Sequence, residues 1–521
     1  MQLNALSNKL DSIRTAELVA SLSLATDLGT GFPLEHALRS CLLATWTADL
    51  LGLTDEEIHE VYYVSLLKYL GCTVTAHVSA RAMGDEVAMG SWFATVDLGD
   101  QREVMAMFGE KLGAGRPEAE QRAVLDGLME SLALFADNMA QHCELGRLLA
   151  VELGLPPAVS AALAQAFGRW NGTGMPPGLA GDAIAPAMRI AVLTEEAERY
   201  SRVRGPDSAI KAVQRRAGHS YDPDIAAAFA GNGAVMLEKL DQIDCWVEVL
   251  RVEPEPHRWL EGEEIDRALL ALADFTDMKS PYLLGHSRAV ANTAAAAAAA
   301  SGLPHADVLA VRRAAWVHDL GRVAVSTAIW SKEGPLTEGE WERVRLHPHY
   351  TDRVLSRSGA LAGLRTTAAL HHERIDGSGY HRGVPAAGQS PIARILAAAD
   401  VYTALTEERP HRKAFAPDRA AKILRDEAIA GRLDGAATSA ILAASGQGPR
   451  GGRPLVPANL TARELEVLRL LARGQTTKEI AERLFISAKT ADNHVQHIYE
   501  KLAVSTRAGA THFALSHGLL D

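Results

Sequence analysis

At 521 residues and 55.8 kDa, the chain exceeds what a single core usually organises, so two or three domains are expected. Its 47% apolar and 22% charged residues exclude a disordered chain. Four scattered cysteines, Cys41, Cys72, Cys143 and Cys245, and a formal net charge of -11 exclude a disulfide scaffold, a paired-cysteine metal knuckle and a surface coated by nucleic acid.

Reduced cysteines predict a cytoplasmic protein. With no run of eighteen apolar residues and no leader pattern, no membrane partner is expected; the alanine run Ala294–Ala300 is a strong helix former. Aromatic residues are sparse and apolar residues recur at three- and four-residue intervals, which predicts an all-α fold.

The first predicted domain covers 1–250, with an insertion near 77–130, and a boundary falls at Glu253–His257. A second helical domain is predicted over 258–444. The two resemble each other. The stretch from Arg169 aligns with that from Arg374 at an offset of 205 residues, as do His142 and His347. His36 aligns with His286, and Tyr63–Gly71 with Arg313–Gly321, at an offset of 250. The shared turn glycines of NGTG and DGSG are not reproduced by helix propensity alone. The chemistry differs, however: His318-Asp319, His371-His372 and Asp400 are answered in the first half by Lys68-Tyr69, Ala166-Phe167 and Glu195. The first half therefore reads as a degenerate copy that kept its packing and lost most of its ligands.

In the second half, His286, His318, Asp319, His347, His371, His372 and Asp400 fall 24 to 32 residues apart, which places one ligand set on each successive helix of a bundle. Adjacent ligands point about 100° apart around a helix, so His318 and Asp319 either face one ion each, or the carboxylate bridges while the imidazole caps. Asp400 lies in the apolar run ARILAAADVYTAL, where an unpaired charge would cost several kcal/mol unless a cation compensates it. Mixed imidazole and carboxylate donors suit iron or manganese better than zinc. Two divalent ions roughly 3.5–4 Å apart would lower the pKa of a bridging water and clamp a phosphate for in-line attack.

The segments HDLGR, HHERIDGSGYHRG and AAADVYTALTEERPHR resemble the defining segments of the HD-GYP branch of the HD phosphohydrolases, over about Asp274 to Ala430. That resemblance implies tandem HD-type domains, the metal ligands His286, His318, Asp319, His347, His371, His372 and Asp400, and hydrolysis of a cyclic dinucleotide such as cyclic di-GMP. It also makes Asp319 and Arg322 the candidate catalytic residues. Arg322 stands where the family usually has lysine, His381 where it has proline, and Tyr282 where members with a third metal have glutamate, so a two-metal centre is expected. Arg322, Tyr380, Arg382, Arg409 and Arg412 are the candidate phosphate-ester ligands, and Glu373 is expected to orient a ligand histidine.

Glycine and proline over Ser445–Pro454 predict a linker, drawn at 445–457, ahead of a small domain at 458–521. Thr461 with Glu464 and Thr476 with Glu479 fit capping boxes that start two helices; a turn at Phe485–Ser487 leads into a third. ARGQTTKEIAERLFISAKTADNHV is similar to the centre of the LuxR-type helix-turn-helix, which implies a four-helix domain reading double-stranded DNA. The resemblance assigns Lys489, Thr490, Asp492, Asn493 and Gln496 to the recognition helix, with Lys501 and Arg507 near phosphates. Few basic side chains mean weak binding by one copy, so a homodimer on a two-fold site is expected, joined through the last helix, Ala508 to His517. The whole reads as a transcriptional regulator carrying a metal-dependent phosphodiesterase. The alternative is a metal- or nucleotide-sensing transcription factor that binds its ligand without turnover.

Overall fold

A computed structural model describes residues 10–113, 132–447 and 460–520. Part of the insertion expected near 77–130, and the expected linker beyond Gln447, lie outside the described residues. Among the described residues the fold is helical, as expected, with one two-stranded sheet pairing β1 (Ser12–Arg14) with β2 (Trp259–Glu261). Among the described residues no helix is long and apolar enough to cross a membrane. The chain divides into two compact units, Arg14–Arg258 and the combination of Met1–Ile13 with Trp259–Asp521.

In the unit Arg14–Arg258, helices α1 (Thr15–Thr30), α2 (His36–Leu50), α3 (Asp55–Leu67), α4 (Leu132–Glu152) and α5 (Pro186–Arg204) carry the core, with α2 packed on both α3 and α5. The described part of the insertion forms short helices around a small apolar cluster of Met89, Met107 and Phe108.

The other unit repeats this packing. Its helices are α6 (Glu263–Asp277), α7 (His286–Ala300), α8 (His305–Val317), α9 (His347–Leu355), α10 (Ala362–Ala368) and α11 (Pro391–Thr406), and α7 packs on α8 and α11. Alanines on the inner face of α7 (Ala291, Ala294, Ala297 and Ala298) are fully buried; small side chains there allow close helix contact. Serine caps α11, with Ser390 Oγ accepting from Ala393 N at 3.2 Å and Pro391 at the first position.

The repeat extends to the backbone. A Cβ on Gly321 would lie 2.1 Å from the carbonyl oxygen of His347, and one on Gly71 would lie 2.3 Å from that of His142. Gly172 and Gly377 both take a left-handed conformation, φ 79° and 81°, which favours glycine. A buried aspartate secures the first histidine helix in each half: Asp277 accepts from Ser287 N at 2.8 Å, and Asp27 from Ala37 N at 3.2 Å. Burial raises both carboxyls to about 7.

The helix Gly435–Gln447 runs past the expected boundary at 444. Ser445 stays helical, its hydroxyl donating to Ile441 O at 2.7 Å, because the glycine- and proline-rich composition begins only beyond it. The described residues of the C-terminal region form four helices, α12 (Ala462–Ala472), α13 (Thr477–Leu484), α14 (Ala488–Leu502) and α15 (Arg507–Ser516). Both expected capping boxes are present, and Phe485 closes α13 in the left-handed conformation. Val467, Leu468, Leu471, Ile480, Val495 and Ile498 form its core.

Candidate metal centre and DNA-reading surface

His318 ends α8, and the chain then turns through a short 3-10 segment, Leu320–Ala324, so Asp319 sits at the bend. His286 opens α7, His347 opens α9, His371 and His372 follow α10, and Asp400 lies inside α11. All seven expected ligands come together. Donor atoms of His347, His371 and His372 converge within 4.8 Å, as do those of His286, His318 and Asp400, and those of His318, Asp319 and His371.

The two carboxylates divide their oxygens between two sides. Asp319 Oδ1 is 3.4 Å from Nε2 of both His347 and His371, while Oδ2 is 3.1 Å from His318 Nε2 and 3.6 Å from His286 Nε2. Asp400 Oδ1 is 3.1 Å from His286 Nε2, and its Oδ2 is 3.6 Å from His372 Nδ1. Three imidazoles are fixed by the backbone just before them: Nδ1 of His318, His347 and His371 lies 2.7 Å from the carbonyl of Ala315, Val344 and Ala368 respectively. Donation to a carbonyl leaves Nε2 as the ligating atom.

The donor set fits divalent cations. His318 Nε2 and both Asp319 oxygens are buried with no hydrogen bond among the described residues, though they stand within ion-pair range of each other. Such atoms are costly unless a cation takes their lone pairs. Burial alone would lower His318, but Asp319 beside it raises it to about 10. Against burial, Arg322 and His318 hold Asp319 well below the usual carboxylate range, and His286 and His318 do the same for Asp400. Burial pulls His347 down to about 4, and burial with His371 nearby pulls His372 well below its usual value.

Arg322 Nε lies 2.9 Å from Asp319 Oδ2, and its guanidinium stacks over Trp330 at 5.1 Å. Tyr380 packs against His372 with the rings tilted by 31° and their centroids 4.7 Å apart, and the Tyr380–His381 peptide is cis. Arg382 pairs with Asp352 at 2.5 Å. Arg409 donates to Glu407 at 2.8 Å and to Tyr282 O at 3.0 Å. Arg412 is taken up by the carbonyls of Ala404 and Leu405, in the last turn of α11, and by that of Lys413. Glu373 does not orient a ligand histidine: its oxygens accept from the backbone N–H groups of Arg382 and Val384 at 2.8 and 2.9 Å, so it shapes the loop after Tyr380. Sequence reasoning passed over Glu407, whose Oε2 lies 2.8 Å from His286 Nδ1.

In the first half the same positions hold a closed ionic network. His36 Nε2 is 3.5 Å from Glu195, whose other oxygen accepts from Lys68 Nζ at 2.9 Å. An ammonium stands at the His318 position. Against burial, Arg199 and Lys68 hold Glu195 well below its usual range, so its charge is matched without a metal.

On the C-terminal domain, Lys489, Thr490, Asp492, Asn493 and Gln496 form an exposed face of α14, while Ala491, Val495, Ile498 and Leu502 face inward. Lys501 instead pairs with Glu464 at 2.7 Å, and Arg507 is half-buried at the start of α15.

Two family models match: an HD domain over residues 271–437 and the luxR family of bacterial regulatory proteins over 458–514. The chain belongs to the HD-GYP type of HD-domain phosphohydrolases and carries a LuxR-type DNA-binding domain at its C-terminal end. It is 30% identical to the 3'3'-cGAMP-specific phosphodiesterase 3 of Vibrio cholerae over 416 residues, 79% of this chain and 90% of that one. A crystal structure of a cyclic GMP-AMP specific phosphodiesterase of V. cholerae (V-cGAP3) superposes with a TM-score of 0.56 at 26% identity, covering 84% of this chain and 99% of that one. The reading domain is 47% identical over 62 residues to the oxygen regulatory protein NreC of Staphylococcus carnosus, 12% of this chain and 29% of that protein.

Proposed function

We propose that the chain hydrolyses a cyclic dinucleotide at a two-ion centre and binds double-stranded DNA through α14, so that one molecule both consumes a nucleotide signal and regulates transcription. The carrying observation is the division of the Asp319 and Asp400 oxygens between two groups of imidazoles. One ion would need no carboxylate that spans two donor sets; two ions would. Iron or manganese suits this mixture of donors.

When bound, the two cations supply the positive charge that polarises a phosphodiester and lowers the pKa of the attacking water. Asp319 would hold both positions together, while His318, His347 and His371 present their Nε2 atoms at fixed angles. Arg322, buried beside Asp319, would offer its remaining N–H groups to a phosphate oxygen. Tyr380 closes the side of His372 with an apolar ring, which excludes water. Arg382, Arg409 and Arg412 would act at the rim only by leaving the partners described above.

Likeness along 90% of the length of the V. cholerae relative favours 3'3'-cyclic GMP-AMP over cyclic di-GMP as substrate. The test is turnover of both nucleotides by the purified chain loaded with Mn(II) or Fe(II), followed by chromatography. The expected result is a linear product from cyclic GMP-AMP, abolished in Asp319→Ala. Bound metal with no product from either nucleotide would leave a sensor in place of an enzyme. The exposed face of α14 and the few free cations around it support weak DNA binding by one copy, hence a homodimer on a two-fold symmetric site.

A further inference from the structure

The geometry points to Glu407 as a positioning residue that fixes the first metal-ligating histidine, an inference that rests on the two-ion reading above. His318, His347 and His371 each turn Nδ1 toward the carbonyl three residues earlier in the chain. His286 cannot. It opens α7, and the carbonyl three residues before it, Leu283 O, already accepts from the backbone N–H of His286 itself at 2.9 Å. A carboxylate from beyond the end of α11 supplies the missing acceptor: Glu407 Oε2 lies 2.8 Å from His286 Nδ1, which leaves Nε2 directed at Asp400. Arg409 in turn holds Glu407 at 2.8 Å.

The first half reaches the same contact by another route. His36 likewise opens its helix, and its Nδ1 lies 2.5 Å from Glu198 Oε2. At the offset of 205, Glu198 aligns not with Glu407 but with Thr403, one helical turn earlier. The two halves have thus placed a carboxylate on the same imidazole nitrogen from different positions. At both His36 and His286 a carboxylate takes the place of the backbone carbonyl used by His318, His347 and His371, and Glu407 provides it in the second half. A carboxylate on Nδ1 fixes the tautomer and raises the basicity of Nε2.

Equilibrium dialysis against Mn(II) alone, with bound metal counted by mass spectrometry, tests this on the full chain. Wild type is expected to hold two ions. Glu407→Ala should weaken the ion served by His286, His318 and Asp400 about 10–100-fold, leaving the one served by His347, His371 and His372. Glu407→Gln, which keeps an acceptor, should lose less. Thr403→Glu added to Glu407→Ala, copying the first half, should recover the second ion. Two ions at wild-type affinity in Glu407→Ala would overturn the inference while leaving the two-ion reading intact. So would failure of a folded Thr403→Glu/Glu407→Ala chain to recover any binding. No metal in wild type would overturn both.

Discussion

His286 and His318 each face buried carboxylates, and each holds its proton above the usual histidine value. Below pH about 10 His318 is therefore an imidazolium, and its Nε2 lone pair is free for a cation only once that proton has left. Metal binding must then release the His318 proton, and with it whatever proton His286 still holds at the working pH. Apparent Mn(II) affinity should climb about tenfold per pH unit for each proton released, up to pH about 10. Calorimetric titration in buffers of different ionisation heat reads the number directly, and a pH-independent affinity would refute this charge assignment. The clustering of the seven candidate ligands was legible in the sequence because histidine and aspartate in apolar helical runs are costly without a partner. Glu407 and Asp277 were not, since their roles follow from where α7 begins and which backbone acceptors its first turn has already used. Glu373 was misread for a related reason: its sequence neighbour is a ligand, but its oxygens face a loop.

Close backbone approach at one glycine sets how helices reach the centre. Gly321 leaves no room for a Cβ against His347 O, so Gly321→Ala must push α9, and His347 with it, away from Asp319. The expected cost is about 3 kcal/mol, with loss of the ion on the His347 side; unchanged melting and metal content would contradict it. In the first half α2 and α5, the counterparts of α7 and α11, are held together by charge. Burial opposes protonation of His36, but Glu198 and Glu195 raise it to about 9. A folded histidine that binds its proton this tightly contributes stability in full below pH 6.5 and loses it as pH rises through 9, on the order of 3 kcal/mol. Amide-exchange protection of α2 and α5 should fall across that window, and His36→Gln should flatten the dependence; equal profiles for both chains would dismiss the His36 contribution. Helix periodicity, capping boxes and the repeat were readable from residue types alone. The end of the helix before the linker was not, because Ser445 continues a helix as readily as it starts a loop.

At the level of the whole chain, the reading domain meets the metal-binding domain through α15. Ala510, Ala514 and Leu519 belong to the reading domain's own core, whereas Leu515 is buried outside that cluster, with a methyl 4.0 Å from where a Cβ on Gly285 would stand. Gly285 immediately precedes His286, and α15 packs on α6. The helix expected to join two reading domains is thus occupied within one chain, and dimerisation through it requires that contact to part. Leu515→Ala removes apolar burial from the contact without entering the reading domain's core. It should lower the docked form by about 2 kcal/mol, or about 30-fold in its ratio to the undocked form. Fluorescence anisotropy on a two-fold symmetric duplex should then show tighter binding by Leu515→Ala than by wild type, with more dimer in sedimentation and unchanged metal content. Equal DNA affinity and equal dimer fraction for the two chains would mean that α15 is not the surface through which copies meet, and that the reading domain binds DNA while still seated beside His286.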